Sequence, residues 1–317
     1  MTVLLIVIVV IFSAAAATVA ACVFAVNSRG EAFVLPAPLS EREMLAAVRS
    51  LTGADERGTA RANFALAAGY LKRAYRMLVV KSHSGEELED YERIFADNYM
   101  NMLIAEREVG DALPALSRLP VRKEGGILAF ASVVVRSTGG ATDPEVFARC
   151  AAMLGAKKSL TWDELKALRP ALRLALLETA AVYASKMLFR RRLAVRAAKD
   201  AKRGKAAPAL CAYASYVRAY SAGGDIPEGR DAYSAAAEDD AMLAEYAAGM
   251  ELLAAALRRD VVTDELLVSL SSPAEIYLSG GCAFEDLSLR TRTDMLMLTG
   301  RYAKKRKVSE ERAAREV

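Results

Sequence analysis

The acidic, histidine and cysteine side chains are the groups in this sequence that could support catalysis or bind a metal ion. The only histidine, His83, stands in a Ser-His-Ser-Gly stretch that predicts a turn. A metal site or catalytic triad that needs a second imidazole is therefore excluded. The acids between Glu86 and Glu92 crowd a predicted helix start, where they complement the helix dipole. Paired catalytic carboxylates need an apolar pocket and opposing elements, so we predict no catalytic, metal-binding or cofactor-binding residue.

Basic side chains form two clusters that could bind an anionic surface. Nine positive residues between Lys186 and Lys205 face Asp200 as the one acid, and a second cluster runs from Arg301 to Lys307. Each charge held near an anionic membrane contributes about 1 kcal/mol. The alternative is a solvated helix face. The candidate residues for contact with anionic lipid or a partner are Arg190, Arg191, Arg192, Arg196, Lys202, Arg203, Lys304, Lys305, Arg306 and Lys307.

The first basic cluster lies at the end of a long predicted helix that begins near Leu160. Thr161 and Glu164 have the spacing of a capping box, which predicts that the helix starts at Trp162. Apolar residues then recur every three or four positions and form one stripe, which we expect to be buried against other helices. The stripe consists of Leu165, Leu168, Leu172, Leu176, Leu177, Ala180, Ala184 and Leu188.

The overall composition predicts a fold built from helices alone. The 317 residues are 54% hydrophobic and 26% charged, with alanine, leucine, glutamate, arginine and lysine dominating over aromatic residues at 7%. We therefore expect an all-α protein, in which an N-terminal transmembrane helix is followed by a multi-helix bundle. The net charge of +4 is small for this length, so we expect no nucleic-acid partner.

The N-terminal segment is the strongest single feature of the sequence. Val3–Val26 contains 24 residues without a charge, which exceeds the roughly 20 needed to cross a bilayer. Arg29, Arg42 and Arg49 follow it and no lysine or arginine precedes it, so the positive-inside rule places the C-terminal part in the cytoplasm. We predict a single-pass protein of the cell membrane, bound to the bilayer through Val3–Val26.

Two other interpretations of this segment remain open. A cleaved secretory signal would normally have a basic n-region, which Met1 and Thr2 do not supply. The stretch from Val19 to Cys22 is similar to a bacterial lipobox and would make Cys22 an acylated N-terminus outside the cytoplasm. The apolar run continues to Val26, however, where a lipoprotein would usually become polar. The four cysteines lack paired spacing, which favours reduced, buried thiols.

Turn and capping residues divide the rest of the chain. We predict a transmembrane anchor over 1–28, a linker with a short helix over 29–55, a helical domain over 56–224 and a C-terminal helical subdomain over 225–317. Ser84 with Glu87 predicts a helix from Glu86 to Val109, and the Leu-Pro pairs at 113–114 and 119–120 predict a linker after it. Ser40 with Glu43, Asp143, Thr263 and Ser309 mark further helix starts.

Four segments of the sequence, taken in order, resemble the N-terminal helical region of cyclic β-1,2-glucan synthases. The family has a D-N-F/Y helix, an L-P linker, a G-x-x-D/P turn and an L-T-x-x-E-L-x-A-L helix. They correspond here to Asp97–Tyr99, Leu119–Pro120, Gly139–Pro144 and Leu160–Leu168. Near the end of the chain Pro273, Tyr277, Phe284, Glu285, Ser309 and Glu310 match further family positions. The sequence departs from the family at Lys166 and at Asp286–Leu289.

This resemblance implies a function without catalysis by this chain. The family's glycosyltransferase domain corresponds to nothing in these residues, and no D-x-D motif for a divalent ion occurs. The resemblance therefore implies a membrane-anchored accessory or scaffold protein, acting beside an envelope polysaccharide synthase. One alternative is a truncated or split subunit of an envelope β-glucan glycosyltransferase. A second alternative is an extracytoplasmic lipoprotein with a helical binding domain.

Overall fold

A computed structural model shows helices and turns throughout the part of the chain that it describes. The described residues are 40–49, 51, 59–120, 126–157, 160–202, 230–280 and 283–316. No strand occurs in these ranges, which confirms the all-α prediction for this part of the chain. None of the helices there is long and apolar enough to cross a bilayer. The predicted spanning segment Val3–Val26 lies outside the described residues. All the described residues belong to one compact unit, Pro36–Val317.

The described ranges contain eleven helices. In chain order they are α1 (Glu41–Arg49), α2 (Thr59–His83), α3 (Asp90–Leu116), α4 (Ile127–Ser137), α5 (Pro144–Lys157), α6 (Trp162–Lys202), α7 (Arg230–Arg258), α8 (Asp264–Ser269), α9 (Ser272–Ser279), α10 (Leu289–Arg306) and α11 (Glu310–Glu316).

Helix α6 occupies the centre of the bundle, with α2, α3, α4, α7 and α10 packed around it. The predicted stripe is buried from Leu165 to Ala184, but it is only part of the buried surface. Ala167, Ala171 and Leu174 lie off that stripe and are also at most 4% exposed. A helix that is apolar over most of its circumference is typical of a core element with neighbours on several sides.

The predicted capping boxes at the starts of α1 and α6 are confirmed. At α6 the Thr161 hydroxyl accepts from the Glu164 amide, and the Glu164 carboxylate accepts from the Thr161 amide at 2.9 Å. Ser40 and Glu43 repeat this arrangement at α1. Each box satisfies backbone donors that the first helical turn leaves without partners. Asp143, Thr263 and Ser309 also accept from backbone amides at the starts of α5, α8 and α11.

The predicted start of α3 at Glu86 is wrong, because another pair forms the capping box. Glu89 and Glu92 form the box, so that α3 begins at Asp90. The Ser84 hydroxyl instead donates to the Lys81 carbonyl at 2.8 Å, which completes the last turn of α2. His83, predicted in the turn, is the last helical residue of α2.

The predicted linker after Leu113 is also wrong in its first part, because α3 continues through Pro114 to Leu116. Leu116 is only 1% exposed, so burial of the last turn favours helix at this point. Pro114 removes one backbone donor and crowds the residue four positions before it. That residue is Gly110, which has no side chain to add to the crowding.

Candidate functional site

The turn after α4 contacts α6, and α6 contacts α7, at a junction where the backbones and side chains approach closely. The Tyr183 hydroxyl of α6 donates to the Gly139 carbonyl at 3.1 Å, and the rings of Tyr183 and Tyr246 lie 5.7 Å apart. Gly139 and Gly140 have φ angles of +60° and +95°, a conformation that favours glycine. This turn ends α4 and presents its carbonyl to α6.

Two glycines allow the helices to approach closely at this junction. A Cβ atom on Gly249 of α7 would lie 2.6 Å from Cζ of Tyr183. A Cβ atom on Gly140 would lie 2.6 Å from Cδ2 of Leu253. Burial raises the pKa of the Tyr183 phenol, with Glu245 as a second cause. The hydroxyl therefore stays neutral and serves as a hydrogen-bond donor.

A second contact, between α6 and the residues that follow α7, shows how the two helices are oriented relative to each other. The Arg169 guanidinium donates to the Val262 carbonyl at 2.8 Å and pairs with Asp260 at 3.0 Å. Asp264 lies 3.7 Å from the same guanidinium. Because Tyr183 meets residues 246–249 and Arg169 meets residues 260–264, α6 and α7 are antiparallel.

Most of the first basic cluster lies on the second half of α6. The helix continues for 18 residues beyond Ala184 and ends at Lys202, and α7 begins at Arg230. The backbone positions of Arg190, Arg191, Arg192, Arg196 and Lys202 are on this second half of α6, while their side chains lie outside the described part of the chain. Arg203 and Cys22 also lie outside it.

The candidates of the second basic cluster, Lys304–Lys307, lie at the C-terminal end of α10, and they differ in their partners. Lys304 forms an ion pair with Asp163 at the start of α6. The Arg306 guanidinium lies 5.6 Å from the centre of the Tyr302 ring. Lys305 and Lys307 are exposed, and Lys307 ends the helix with a φ angle of +57°. The structure thus places these four candidates on one turn and joins one of them to α6.

The start of α6 is also bound by the C-terminal helix. The Glu310 carboxylate accepts from the Trp162 amide at 2.9 Å, across 148 positions of sequence. Burial raises the pKa of this carboxyl group, the hydrogen bond from Trp162 lowers it, and Asp163 raises it further, with a net upward shift. The Glu310 carboxyl group thus provides an acceptor for a backbone amide in the first turn of α6, while burial disfavours its charged form.

The other partly buried charges join pairs of helices. Lys81 of α2 binds Glu92 of α3 with 2.5 Å between Nζ and Oε2, and the two side chains are 10% and 5% exposed. Glu92 also accepts from the Glu89 amide as part of the capping box. Arg173 of α6 pairs with Glu108 of α3. In the described ranges, no group of three or more histidine, cysteine or acidic residues has the geometry to hold a metal ion.

Sequence reasoning missed the residues that form the α4–α6–α7 junction. Gly249 and Tyr183 were not selected because a glycine inside a helical pattern gives no indication of which side chain it faces. The turn at Gly139–Gly140 was expected from the resemblance to glucan synthases, but its contact with Tyr183 was not. No protein-family model matches this sequence, and a comparison with curated proteins finds no match.

Proposed function

We propose that this protein is a non-catalytic helical scaffold, held at the cell membrane by Val3–Val26 and exposed to the cytoplasm. We further propose that it is related to the accessory region of cyclic β-1,2-glucan synthases. Its task would be to position an envelope polysaccharide synthase through contacts between proteins.

The scaffold proposal is supported by the charged side chains of the bundle, which join one helix to another. Arg169, Arg173 and Glu310 each join α6 to another element. Lys81 and Glu92 join α2 to α3. Charged groups in these places hold helices at fixed positions, which is the property that a scaffold requires.

The membrane and partner proposals are supported by the sequence. The charge-free run of 24 residues supports an anchor, and the arginines after it support a cytoplasmic location for the helical part. The order of the four segments that resemble glucan synthases supports the choice of partner. In that region Tyr99 lies in α3 and Thr161 caps α6, so the resemblance includes residues of two packed helices.

A topology experiment tests the anchor and its direction. A phosphatase or fluorescent reporter fused after Val317 distinguishes the two compartments, and carbonate extraction of membranes measures integral insertion. We expect a cytoplasmic reporter signal and retention in the carbonate-washed membrane. A variant lacking residues 3–26 is the control and should be released. Release of the intact chain, or an external reporter signal, would refute the proposal.

A second experiment tests the partner and the alternatives. We expect the tagged chain to retain a glucosyltransferase from detergent-solubilised membranes and to transfer no glucose from UDP-glucose when purified alone. Turnover by the chain alone would refute the non-catalytic proposal. Turnover by the partner that requires this chain would favour the split-subunit alternative. Incorporation of labelled palmitate that is lost in Cys22→Ser would favour the lipoprotein.

A further inference from the structure

Helices α2 and α3 form an antiparallel hairpin, and three contacts between them give the same register. The rings of Tyr75 and Tyr99 stack with their centroids 4.0 Å apart. On one side of this pair, a Cβ atom on Gly110 would lie 3.6 Å from Cζ of Phe64. On the other side lies the buried ion pair that joins the two helices. Moving forward along α2 therefore corresponds to moving backward along α3 by nearly the same number of positions.

Helix α2 carries a strip of positive charge on its exposed side. None of its 25 residues is acidic. Four of its basic residues are exposed, and no ion pair joins any of them to another described residue: Arg61, Lys72, Arg73 and Arg76. Three of the four lie within about one helical turn, so their fields add at the surface.

The strip lies next to α3 at the level of the stacked tyrosines. Lys72 is three positions before Tyr75, and Arg76 directly follows it. Arg76 also acts on α3. Burial raises the pKa of the Tyr99 phenol, Glu106 and Tyr75 raise it further, and Arg76 acts in the opposite direction. The basic residues therefore border the line along which the two helices meet.

Helix α3 has an exposed apolar strip at the same level. Met100, Leu103 and Ile104 are 60%, 40% and 56% exposed. Their spacing of three and four positions places them on one side of the helix, and Leu103 is four positions after Tyr99. Single exposed apolar side chains are ordinary on a protein surface, whereas adjacent ones mark a contact surface.

The two strips together form what we call the α2–α3 face, which consists of Lys72, Arg73, Arg76, Met100, Leu103 and Ile104. Asp97 and Asp111 of α3 are exposed beyond the two ends of the apolar strip. An anionic membrane surface offers phosphate groups with acyl chains directly beneath them, and helices that lie on membranes bind it with this combination of side chains. A second copy of the chain would bring the same positive charges, which disfavours pairing of two such faces.

We propose that the α2–α3 face contacts anionic lipid, with its three basic side chains on headgroup phosphates and its three apolar side chains in the headgroup region. The inference rests on the proposed anchor, because a membrane-spanning segment keeps a lipid surface within reach of the bundle. Fourteen residues separate Val26 from Glu41, the first residue of α1, and they span at most about 50 Å when extended. This tether favours lipid over a partner protein with an acidic helix.

Two methionines of α3 provide a test within one peptide. Trypsin cleaves after Arg93 and Arg107, so residues 94–107 contain both the exposed Met100 and Met102, which is 1% exposed. The full chain is placed in nanodiscs of phosphatidylcholine, with or without phosphatidylglycerol, and treated with peroxide, which converts accessible methionine to its sulfoxide. We expect Met100 to be oxidised several-fold more slowly in the anionic discs, and high salt to remove this protection. Met102 should stay reduced, which shows that the bundle remains folded.

Charge variants test whether the α2–α3 face makes the contact. The first variant replaces its basic residues: Lys72→Gln, Arg73→Gln and Arg76→Gln. It should abolish the protection of Met100, since each charge near an anionic surface favours binding by a factor of about five. The matched control removes the same charge from exposed residues of α10: Arg301→Gln, Lys305→Gln and Lys307→Gln. It should retain the protection, because α10 has a single exposed large hydrophobic residue, Leu298, in the described part of the chain.

The results that would overturn the inference are distinct from those that would refute the anchor. Equal oxidation of Met100 in both types of disc, or equal loss of protection in the two variants, would overturn the lipid contact while the chain stays in the discs. Protection in native membranes but not in anionic discs would assign the face to a protein partner and would also overturn it. Discs that fail to retain the chain would refute the anchor and the inference together.

Discussion

Glu310 makes the stability of the fold depend on pH, and the direction of its pKa shift gives the sign of this dependence. Its folded-state pKa is raised above the ordinary 4.5 by burial, so the folded chain binds more protons than the unfolded chain in the interval between the two values. The free energy of unfolding must then fall as the pH rises from about 4.5 through the folded-state pKa. We expect Glu310→Gln to lose this dependence, measured by urea unfolding over a series of pH values.

The comparison between wild type and variant isolates this group. Asp163 and Glu164 of α6 and Lys304 of α10 also act on Glu310, and all three are present in both proteins. The difference between the two unfolding curves therefore reports on the Glu310 carboxyl group. Parallel pH profiles for the two proteins would show that Glu310 titrates alike in the folded and unfolded states.

At the residue scale, short-range hydrogen bonds were predictable from the sequence and long-range ones were not. Thr161 and Glu164 are three positions apart, and one helical turn brings them together whatever the rest of the chain does. Glu310 lies 148 positions from Trp162, and only the packing of α10 and α11 brings it to that amide. The sequence resemblance selected Glu310 as a family position without indicating this contact.

At the scale of helices, α6 and α7 can approach closely because residue 249 is a glycine. We expect Gly249→Ala to destabilise the protein by about 1–3 kcal/mol, because overpacking forces neighbouring groups to move. The Tyr183 ring would have to shift, and its hydrogen bond to Gly139 would then be weakened. Chemical denaturation of the variant measures the loss.

Gly69→Ala is the matched control for this substitution. Gly69 also lies inside a long helix, α2, but no heavy atom lies within 4 Å of a Cβ built on it. Alanine should stabilise the helix there by about 0.5–1 kcal/mol, since glycine loses more conformational freedom on folding. If Gly249→Ala were stabilised as Gly69→Ala is expected to be, helix propensity would outweigh the contact with Tyr183.

Helix boundaries were predictable where local capping decides them and wrong where burial decides them. Asp143 and Pro144 mark the start of α5 as expected, because the Asp143 side chain accepts from two backbone amides. The end of α3 was predicted too early, because the Pro114 signal is local and the burial of Leu116 is tertiary. Likewise Ser84 had the spacing of a cap, but it bonds back to α2.

At the scale of the whole molecule, the residues from Pro36 to Val317 form one compact unit. The only tryptophan, Trp162, is 2% exposed and lies between the centre of the bundle and the C-terminal helices. We expect its fluorescence and the far-ultraviolet circular dichroism to report the same urea transition. In Gly249→Ala the fluorescence and the circular dichroism should again agree with each other on the midpoint of the urea transition.

Two separate transitions would instead support the predicted boundary between residues 224 and 225. In that case the fluorescence of Trp162 should follow the earlier or the later step, and the helical signal should follow both. Packing of α7 against both α3 and α6 is the physical reason to expect a single transition. These contacts join elements from both sides of the predicted boundary.

The all-α class followed from composition and periodicity, and the burial of α6 from Leu165 to Ala184 followed from the spacing of its apolar residues. The partners of α6 could not be predicted in the same way, because periodicity shows that a face is buried and not which neighbour covers it. The basic residues were recognised as a cluster along α6 alone.

The central position of α6 has a consequence for biosynthesis. Of its neighbours, α2, α3 and α4 precede it in the chain and α7 and α10 follow it. About 100 residues separate the end of α2 from Ala184, which corresponds to roughly 5–20 s of translation. During that interval the apolar faces of the three earlier helices lack the element that covers them, so a nascent chain halted before residue 160 should require a chaperone to remain soluble.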